Sequence, residues 1–261
     1  MRLPRRELLG SLAVGSVISA NPVQAQEAAP KAPPLPSFSG QRVLVLGGTG
    51  RTGGFAVARL LAAGAKVRGA ARDVAKAKAQ RPEVEWVKAD VKDLRSLKGL
   101  AKGCDRVLCA IGANTEADPS NAPELVEFKG IAALADEAKA AGVKHFVLLS
   151  ANAVGGDLSA NTAFATLMRF KKQGEDALTA SGVPYTILRP TALWDQPGGQ
   201  HGIALLSRGL AVNAVMCRED VAAVMVQALS TANAAGKTIH CFNVVARDPH
   251  AWMKDFPKLA I

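Results

Sequence analysis

Aromatic residues are scarce in this 261-residue chain: Phe, Trp and Tyr make up 5% of it, and Tyr185 is the single tyrosine. The formal net charge is +10, but the lysines and arginines are scattered, with no run longer than a pair and no interleaved aromatics. Nucleic-acid surfaces combine clustered basic residues with aromatic stacking partners. The pattern therefore favours a solvated basic surface, and we expect no nucleic-acid partner.

Cysteine is also sparse, and its spacing excludes the usual cysteine-based sites. Cys104, Cys109, Cys217 and Cys241 form no C-x-x-C pair, and no histidine stands at metal-ligand spacing from them. The sequence therefore predicts no metal site. A disulfide in an oxidising compartment stays open as an alternative without positive support, and Cys109, inside an apolar run, is predicted to be a small core residue.

Residues 1–25 resemble an export signal. Arg2, Arg5 and Arg6 precede a diluted apolar stretch, residues 8–20, which is shorter than the roughly 20 residues of a membrane span. The Arg5-Arg6 pair resembles a twin-arginine signal, although the usual Ser or Thr before the pair and the Lys after the leucines are missing. We expect export to the periplasm and no stable membrane span in the mature chain. A plain secretory signal or an organelle transit segment is the alternative to a twin-arginine signal. The thylakoid lumen and the cytoplasm are the alternative locations.

The rest of the chain divides into a linker and one folded domain. Residues 26–40 contain four prolines and are predicted to be extended. From residue 41 onward, short apolar runs alternate with helical patterns, which predicts βαβ units and a doubly wound parallel sheet of Rossmann type. Strands are predicted near 42–46, 66–71, 84–88, 106–111, 144–150 and 185–189, and helices near 52–63, 74–79, 94–101, 123–141 and 164–180.

After residue 190 the alternation loosens. The pattern predicts a glycine-rich loop at 194–202, then a helix, a strand at 211–216, a helix at 218–229, a strand at 238–244 and a short tail helix. Additions at this position in doubly wound folds often cover the ligand crevice. We therefore expect a small C-terminal region that covers the substrate.

The strongest chemical signal is the apolar run 43–46 followed by a G-x-x-G-x-x-G loop. Gly47 permits a tight turn, Gly50 lets backbone N–H groups approach a pyrophosphate, and Gly53 lets the following helix pack close to the sheet. The N-terminus of that helix offers free N–H groups and a partial positive charge to phosphates. Because the loop lies between a strand and a helix, it predicts dinucleotide binding.

Cofactor choice depends on the end of the second predicted strand. A 2′-phosphate usually meets an arginine there, whereas a free 2′-hydroxyl meets an acidic side chain. Arg72 favours NADP(H), and Arg51 in the loop could assist. The alternative makes Asp73 the ribose ligand and NAD(H) the cofactor, but Asp73 is also predicted, like Asp93, to cap a helix.

Several segments in order resemble one family: 47–53, Arg72, 88–91, 110–113, 146–150, 218–222 and above all the Ser-Gly-x-Pro-Tyr-Thr-x-x-Arg-Pro segment at 181–190. Together they resemble the atypical short-chain dehydrogenase/reductase family, in its NAD(P)H-binding, NmrA-like group with biliverdin- and flavin-reductase-like members. The resemblance runs from about residue 41 to at least 244. It implies a Rossmann fold that binds NAD(P)(H).

The resemblance also implies roles for single positions. Asp90 and Val91 would border the adenine, and Ala110, Ile111 and Gly112 would pass beneath the ribose and the nicotinamide. Ser150 would end the fifth strand beside the substrate, and Pro190 would help to seat the nicotinamide. The predicted cofactor residues are Gly47, Thr49, Gly50, Arg51, Thr52, Gly53, Arg72, Asp90, Val91, Ala110, Ile111, Gly112, Lys171 and Pro190, and the predicted catalytic residues are Ser150 and Lys171. Asp90 and Ser150 could instead serve only a turn and a strand end.

The catalytic tyrosine of the wider superfamily has no counterpart here. That tyrosine stands four residues before a lysine, and the lysine lowers its pKa and holds the ribose. Aligning the lysine with Lys171 puts Leu167 at the tyrosine position, and Tyr185 belongs to a predicted buried strand. His201 in the glycine-rich loop is an alternative acid, although a loop histidine is more often merely exposed.

Two functions fit these features. The first is an NADP(H)-dependent reductase that transfers a hydride to a small or planar acceptor and takes the proton from solvent. The second is a non-catalytic NAD(P)-binding sensor, scaffold or assembly factor with a protein partner.

Overall fold

The computed structural model describes residues 35–116, 118–209, 214–245 and 247–256. Its strands are β1 Arg42–Leu46, β2 Lys66–Ala71, β3 Glu85–Lys88, β4 Arg106–Cys109, β5 His145–Leu149, β6 Tyr185–Pro190, β7 Ala192–Trp194, β8 Gly202–Leu206, β9 Val215–Cys217 and β10 Lys237–Val244. Its α-helices are α1 Arg51–Ala62, α2 Val74–Gln80, α3 Gly130–Ala140, α4 Ala163–Ala180, α5 Arg218–Ser230 and α6 Trp252–Asp255. A π-helix, Glu124–Lys129, runs directly into α3, and short 3₁₀ helices lie at Leu94–Leu97, Asn152–Gly155 and Ala232–Ala234.

Eight strands form one sheet in the order β3-β2-β1-β4-β5-β6-β10-β8. Every pairing is parallel except that of β8 with β10. The order reverses between β1 and β4, which is where doubly wound sheets bind ligands at the carboxyl ends of their strands. The predicted Rossmann-type fold is confirmed, and β7 with β9 forms a separate two-stranded sheet in the C-terminal region.

Helices cover both faces of the sheet, so the inner strands are buried on both sides. Val43 and Val45 of β1 join the core that α1 and α5 cover. Leu44 and Leu46 point the other way and join the core of α3 and α4. Burial on both faces explains why β1 is an uninterrupted apolar run rather than an alternating one.

The predicted helix 123–141 contains two kinds of helix. Its first part is the π-helix, and α4 packs closely against it at Gly174. A Cβ atom at Gly174 would lie 2.0 Å from the backbone oxygen of Glu127, so only glycine fits this crossing. The π-helix is therefore held next to α4, and this packing places Glu127 beside the candidate site.

Two predicted elements are wrong. The helix predicted at 94–101 is only the 3₁₀ turn Leu94–Leu97, because Lys98 takes an extended conformation and ends it. The helix predicted after residue 202 is instead the strand β8, since its apolar run pairs antiparallel with β10. Residues 211–213 of the predicted strand 211–216 lie outside the described residues, and β9 covers the rest of it from Val215.

The remaining predicted elements agree with the structure to within two residues. Asp73 and Asp93 cap their helices as expected, because their carboxylates accept hydrogen bonds from the backbone N–H groups of Lys76 and Arg95. Among the described residues, no helix has the length and apolarity that a membrane crossing requires.

Candidate functional site

The glycine loop after β1 is tight at two positions. Gly47 has a φ of +78°, and a Cβ there would lie 2.5 Å from the backbone oxygen of Ala110. A Cβ at Gly53 would lie 2.1 Å from the backbone oxygen of Gly47. No side chain caps the start of α1, and its first turn has no acidic residue. The loop therefore leaves the N–H groups of that turn available to a phosphate.

A cavity of about 250 Å³ lies beside this loop, at the carboxyl ends of β1 to β4. Nine of the predicted cofactor residues line it: Gly47, Thr49, Gly50, Arg72, Asp90, Val91, Ala110, Ile111 and Gly112. Leu97, Asn121 and Val126 also line it and were not identified from the sequence. Its position and lining fit the adenosine half of a dinucleotide.

A second cation shares an acidic partner with Arg72, which lines this cavity. Nη1 of Arg72 and Nζ of Lys92 lie 3.4 and 3.3 Å from the same carboxylate oxygen of Asp118. Hydrogen bonds from Ser120, with help from Lys92, lower the pKa of Asp118 to about 2, so this carboxylate is charged at any physiological pH. Lys92 was not identified from the sequence, because only the fold brings residue 118 next to residue 92.

A larger cleft of about 830 Å³ lies over the ends of β4, β5 and β6. Ala110, Ile111 and Gly112 line both cavities, so the two adjoin. The predicted residues Thr52, Ser150, Lys171 and Pro190 line the cleft together with apolar side chains, which are Leu149, Phe164, Leu167, Met168 and Leu193. This arrangement fits a nicotinamide with an apolar substrate beside it.

Ser150 follows β5 directly and is 6% exposed. Its Oγ atom is buried and has no hydrogen-bond partner among the described residues. A buried hydroxyl without a partner carries a free-energy penalty of about 1–3 kcal/mol. Because Ser150 lines the cleft, a ligand oxygen there would satisfy it.

The side chain of Lys171 is paired with the carboxylate of Glu127. Its Nζ donates to Oε2 of Glu127 at 2.8 Å, and Oε1 of Glu127 accepts from the backbone N–H of Ala113 at 2.7 Å. The lysine side chain is 13% exposed and that of Glu127 4%. Glu127 thus joins Lys171 to the chain segment after β4, and their separation of 44 positions along the chain explains why the sequence pattern missed the pair.

The three residues considered in connection with the proton donor lie in different places. Leu167 stands one turn before Lys171 on α4 and lines the cleft, and its alignment with the tyrosine position stays a prediction. Tyr185 lies in β6 and packs against the core beneath α3 and α4. His201 is not among the residues that line the cleft, so the structure gives no support to it as an alternative acid.

Arg51 lies on the substrate side of the loop rather than with Arg72. It lines the larger cleft, as does Arg218 at the start of α5. Nη1 of Arg51 donates to one carboxylate oxygen of Asp195 at 2.6 Å, and Nε of Arg218 donates to the other at 2.7 Å. In this structure Arg51 is therefore not placed to assist a 2′-phosphate at Arg72.

All four cysteines are buried and unpaired. Complete burial raises the pKa of the Cys109 thiol to about 12, as expected for the small core residue predicted from the sequence. No disulfide is formed, and the described residues contain no group of histidine, cysteine and acidic side chains that could hold a metal ion.

Comparison with known proteins gives a family and several relatives. Residues 47–232 match a family model described as NAD(P)H-binding. An uncharacterized chloroplastic protein of Arabidopsis thaliana is 32% identical over 221 residues, which are 79% of this chain and 77% of that protein. The protein TIC 62 of Pisum sativum is 34% identical over 170 residues, 57% of this chain but only 32% of its own length.

A third relative, from Streptomyces griseus, is named a (4-alkanoyl-5-oxo-2,5-dihydrofuran-3-yl)methyl phosphate reductase. It is 31% identical over 201 residues, 75% of this chain and 65% of that protein. The chain therefore spans about a third of one of these relatives and from two thirds to three quarters of the other two.

Solved structures share the fold at low identity. An oxidoreductase from Lactococcus lactis superposes with a TM-score of 0.69 at 22% identity, over 84% of this chain and 97% of that chain. An anaerobillin reductase from Escherichia coli superposes with a TM-score of 0.65 at 20% identity, over 79% of this chain and 99% of that chain. A short-chain dehydrogenase/reductase from Veillonella parvula in complex with NADP superposes with a TM-score of 0.62 at 16% identity, over 78% of this chain and 94% of that chain.

Proposed function

This chain belongs to the NAD(P)H-binding family related to the atypical short-chain dehydrogenases/reductases, and we propose that it is an NADP(H)-dependent reductase acting without a catalytic tyrosine. The observation that carries the proposal is the joining of two cavities. The cavity beside the glycine loop opens directly into a partly apolar cleft that contains the hydroxyl of Ser150, which has no hydrogen-bond partner in the described part of the chain. The acceptor is a small or planar molecule that fits this cleft.

When bound, the dinucleotide would supply a hydride to an acceptor in the cleft. The N–H groups at the start of α1 would hold the pyrophosphate, and Lys171, oriented by Glu127, would donate a hydrogen bond to the ribose. The hydroxyl of Ser150 donates to an oxygen or nitrogen of the acceptor, which orients the acceptor and stabilises charge that develops on that atom. Leu167 offers no proton, so solvent supplies the proton that accompanies the hydride.

NADP(H) is preferred over NAD(H) in this proposal. Arg72 lines the adenosine cavity, and Lys92 shares its partner Asp118, so one anionic group fits between the two cations. A 2′-phosphate has the charge and acceptor oxygens that such a pair binds.

The proposal is tested with purified protein, NADPH and a panel of flavins, quinones and carbonyl compounds. We expect NADPH oxidation with at least one acceptor class, and we expect Ser150→Ala to lower kcat while NADPH affinity is retained. NADPH that binds but stays reduced with every acceptor would contradict the reductase proposal.

A non-catalytic dinucleotide-binding role is the second candidate. The apolar Leu167 at the tyrosine position and the closed pair of Lys171 with Glu127 favour it. This role predicts tight cofactor binding, no turnover and co-purification of another polypeptide, whereas the reductase proposal requires turnover by the protein alone.

Export remains a separate proposal, since residues 1–34 lie outside the described part of the chain. Its support is the Arg5-Arg6 pair before a weakly apolar stretch. Changing both arginines to lysine should block export by a twin-arginine route. Continued export of that variant would instead indicate an ordinary secretory signal.

A further inference from the structure

Two helix N-termini bring arginines to the same side of the cleft. Arg51 is the first residue of α1, Arg218 is the first residue of α5, and both line the cleft that contains Ser150. Glu219 and Asp220 occupy the first turn of α5, so the two guanidinium groups themselves are the positive charges at this edge. They lie at the edge of a cleft that has both apolar and polar lining, and Asp195 lies between them.

Asp195 shows how far apart the two guanidinium groups lie. Its two carboxylate oxygens each accept one hydrogen bond, at 2.6 Å from Arg51 and 2.7 Å from Arg218. A single carboxylate thus spans the gap between them. Any acid group of similar size that enters the cleft could form the same two bonds.

The loop that carries Asp195 is fixed at one end and exposed at the other. The backbone N–H groups of Gly198 and Gly199 donate to Glu219 and Asp220 at the start of α5. By contrast, the side chain of Asp195 is 54% exposed, and that of Arg51 is 67% exposed. The ion pair of Asp195 with Arg51 is exposed and therefore weak, whereas its pair with Arg218, whose side chain is 14% exposed, is the stronger contact that an entering acid group replaces.

Other charged groups stand next to the arginines or line the cleft. Glu219 and Asp220 follow Arg218 in the first turn of α5 and accept hydrogen bonds from the loop that carries Asp195. Lys171 is paired with the buried Glu127, away from Asp195. Glu116 also lines the cleft and contributes a negative charge, but no hydrogen bond or ion pair joins it to Arg51 or Arg218. Among the residues that the structure describes, Arg51 and Arg218 thus offer two donors to one anion at this edge of the cleft.

We infer that the acceptor carries an acid group, a carboxylate or a phosphate, on a planar apolar body, and that Arg218 with Arg51 binds this group after it displaces Asp195. The inference rests on the proposed reductase function and names its substrate class. The apolar body would lie against Leu167, Met168 and Leu193, which line the same cleft. Asp195 then acts as an internal competitor that lowers the affinity for acidic acceptors.

Two flavins provide a matched pair of probes, because FMN and riboflavin share one ring system and differ in a phosphate. Binding of each to the NADP⁺-loaded protein is followed by flavin fluorescence, a readout that needs no turnover. We expect FMN to bind roughly tenfold more tightly, a factor that corresponds to about 1.4 kcal/mol. Arg218→Gln should remove this preference, and Asp195→Asn should increase FMN affinity several-fold without changing that of riboflavin.

The control is Arg95→Gln, which removes one positive charge from a side chain that is 97% exposed and remote from the cleft lining. It should leave the preference intact. The inference would be overturned if both flavins bind with equal affinity or if neither binds. It would also be overturned if Arg218→Gln lowers the affinity for both flavins. A loss of NADP⁺ affinity alone in that variant would also overturn it, because the arginine would then serve the cofactor pyrophosphate. Selective FMN binding without NADPH oxidation would leave the acid site standing and contradict only the reductase.

Discussion

At the scale of single residues, the proposed preference for NADP(H) depends on the charges of Arg72 and Lys92. Arg72 was predicted from its place at the end of β2, whereas Lys92 emerged only when the fold placed Asp118 beside both cations. A pattern along the chain shows which residue ends a strand, but it does not show which distant side chain shares its partner. For the same reason, Glu127 and Asp195 could not be predicted as partners of Lys171 and Arg51.

Replacing Arg72 by Ala or Lys92 by Met should weaken NADPH binding by roughly tenfold or more, because each change removes a charge-assisted hydrogen bond to the 2′-phosphate. NADH affinity should change little, and Asp118→Asn should strengthen NADPH binding because it removes a competing carboxylate. Titration of both cofactors by calorimetry measures these effects. Lys66→Ala removes a charge from the opposite end of β2 and serves as the control. Equal losses for NADPH and NADH would contradict the 2′-phosphate assignment.

His145 gives the fold a dependence on pH. Burial, with the nearby charge of Arg106, lowers the pKa of this histidine from 6.5 to about 4. Between pH ~4 and ~6.5 the unfolded chain binds a proton at this histidine that the folded protein does not. The contribution of neutral His145 to the unfolding free energy is therefore fully present above pH ~6.5 and is lost as the pH falls. The unfolding free energy should decrease by about 2 kcal/mol between pH 7.5 and 5. Denaturant titrations of wild type and His145→Gln test this prediction, since the variant should lack this part of the slope; an unchanged slope would refute it.

At the scale of elements, the sequence predicted what depends on local pattern and missed what depends on pairing. The strands β1 to β6 were found from apolar runs, and α2 was found from its cap Asp73. Asp93 was also found as a cap, although the helix predicted after it is only a 3₁₀ turn. The strand β8 was predicted as a helix because a short apolar run fits either state, and only the exposed edge of β10 decides between them. The π-helix likewise depends on its contact with α4.

Gly174→Ala tests that contact. Its Cβ would lie 2.0 Å from the backbone oxygen of Glu127, so α4 and the π-helix must separate, and overpacking of this kind costs about 1–3 kcal/mol. Gly54→Ala in α1 is the matched control, because the nearest atom to its Cβ is 3.8 Å away. That control should be neutral or should stabilise the protein by up to about 1 kcal/mol. Similar effects of both changes on the unfolding free energy would contradict the close crossing of the two helices.

At the scale of the whole molecule, the sheet order brings the ends of β1 to β6 to one edge and makes a continuous crevice from separate loops. The resemblance of segments 47–53 and 181–190 to a known family predicted this assembly correctly. The residues that line the cleft from the C-terminal region, such as Leu193 and Arg218, were predicted only as a covering region. Their individual roles depend on loop geometry that no periodicity encodes.

Cofactor binding should stabilise the whole domain, since it occurs in the folded state alone. At a hundredfold excess of NADPH over its Kd, the unfolding free energy should rise by about 2.7 kcal/mol, and by much less at the same concentration of NADH. Thermal unfolding with each cofactor measures the difference. An equal rise of the unfolding temperature with both cofactors would indicate a site that does not contact the 2′-phosphate.

The most direct test of the central claim is single-turnover mixing of the protein with NADPH and an acidic planar acceptor such as FMN, with oxygen removed and the nicotinamide absorbance followed. The account predicts that NADPH is oxidised in step with reduction of the acceptor, and that deuterium at one face of the nicotinamide C4 slows this phase. NADPH that is bound with the predicted 2′-phosphate preference but remains reduced with FMN and every other acceptor would contradict it, and would leave a protein that holds the dinucleotide without using it.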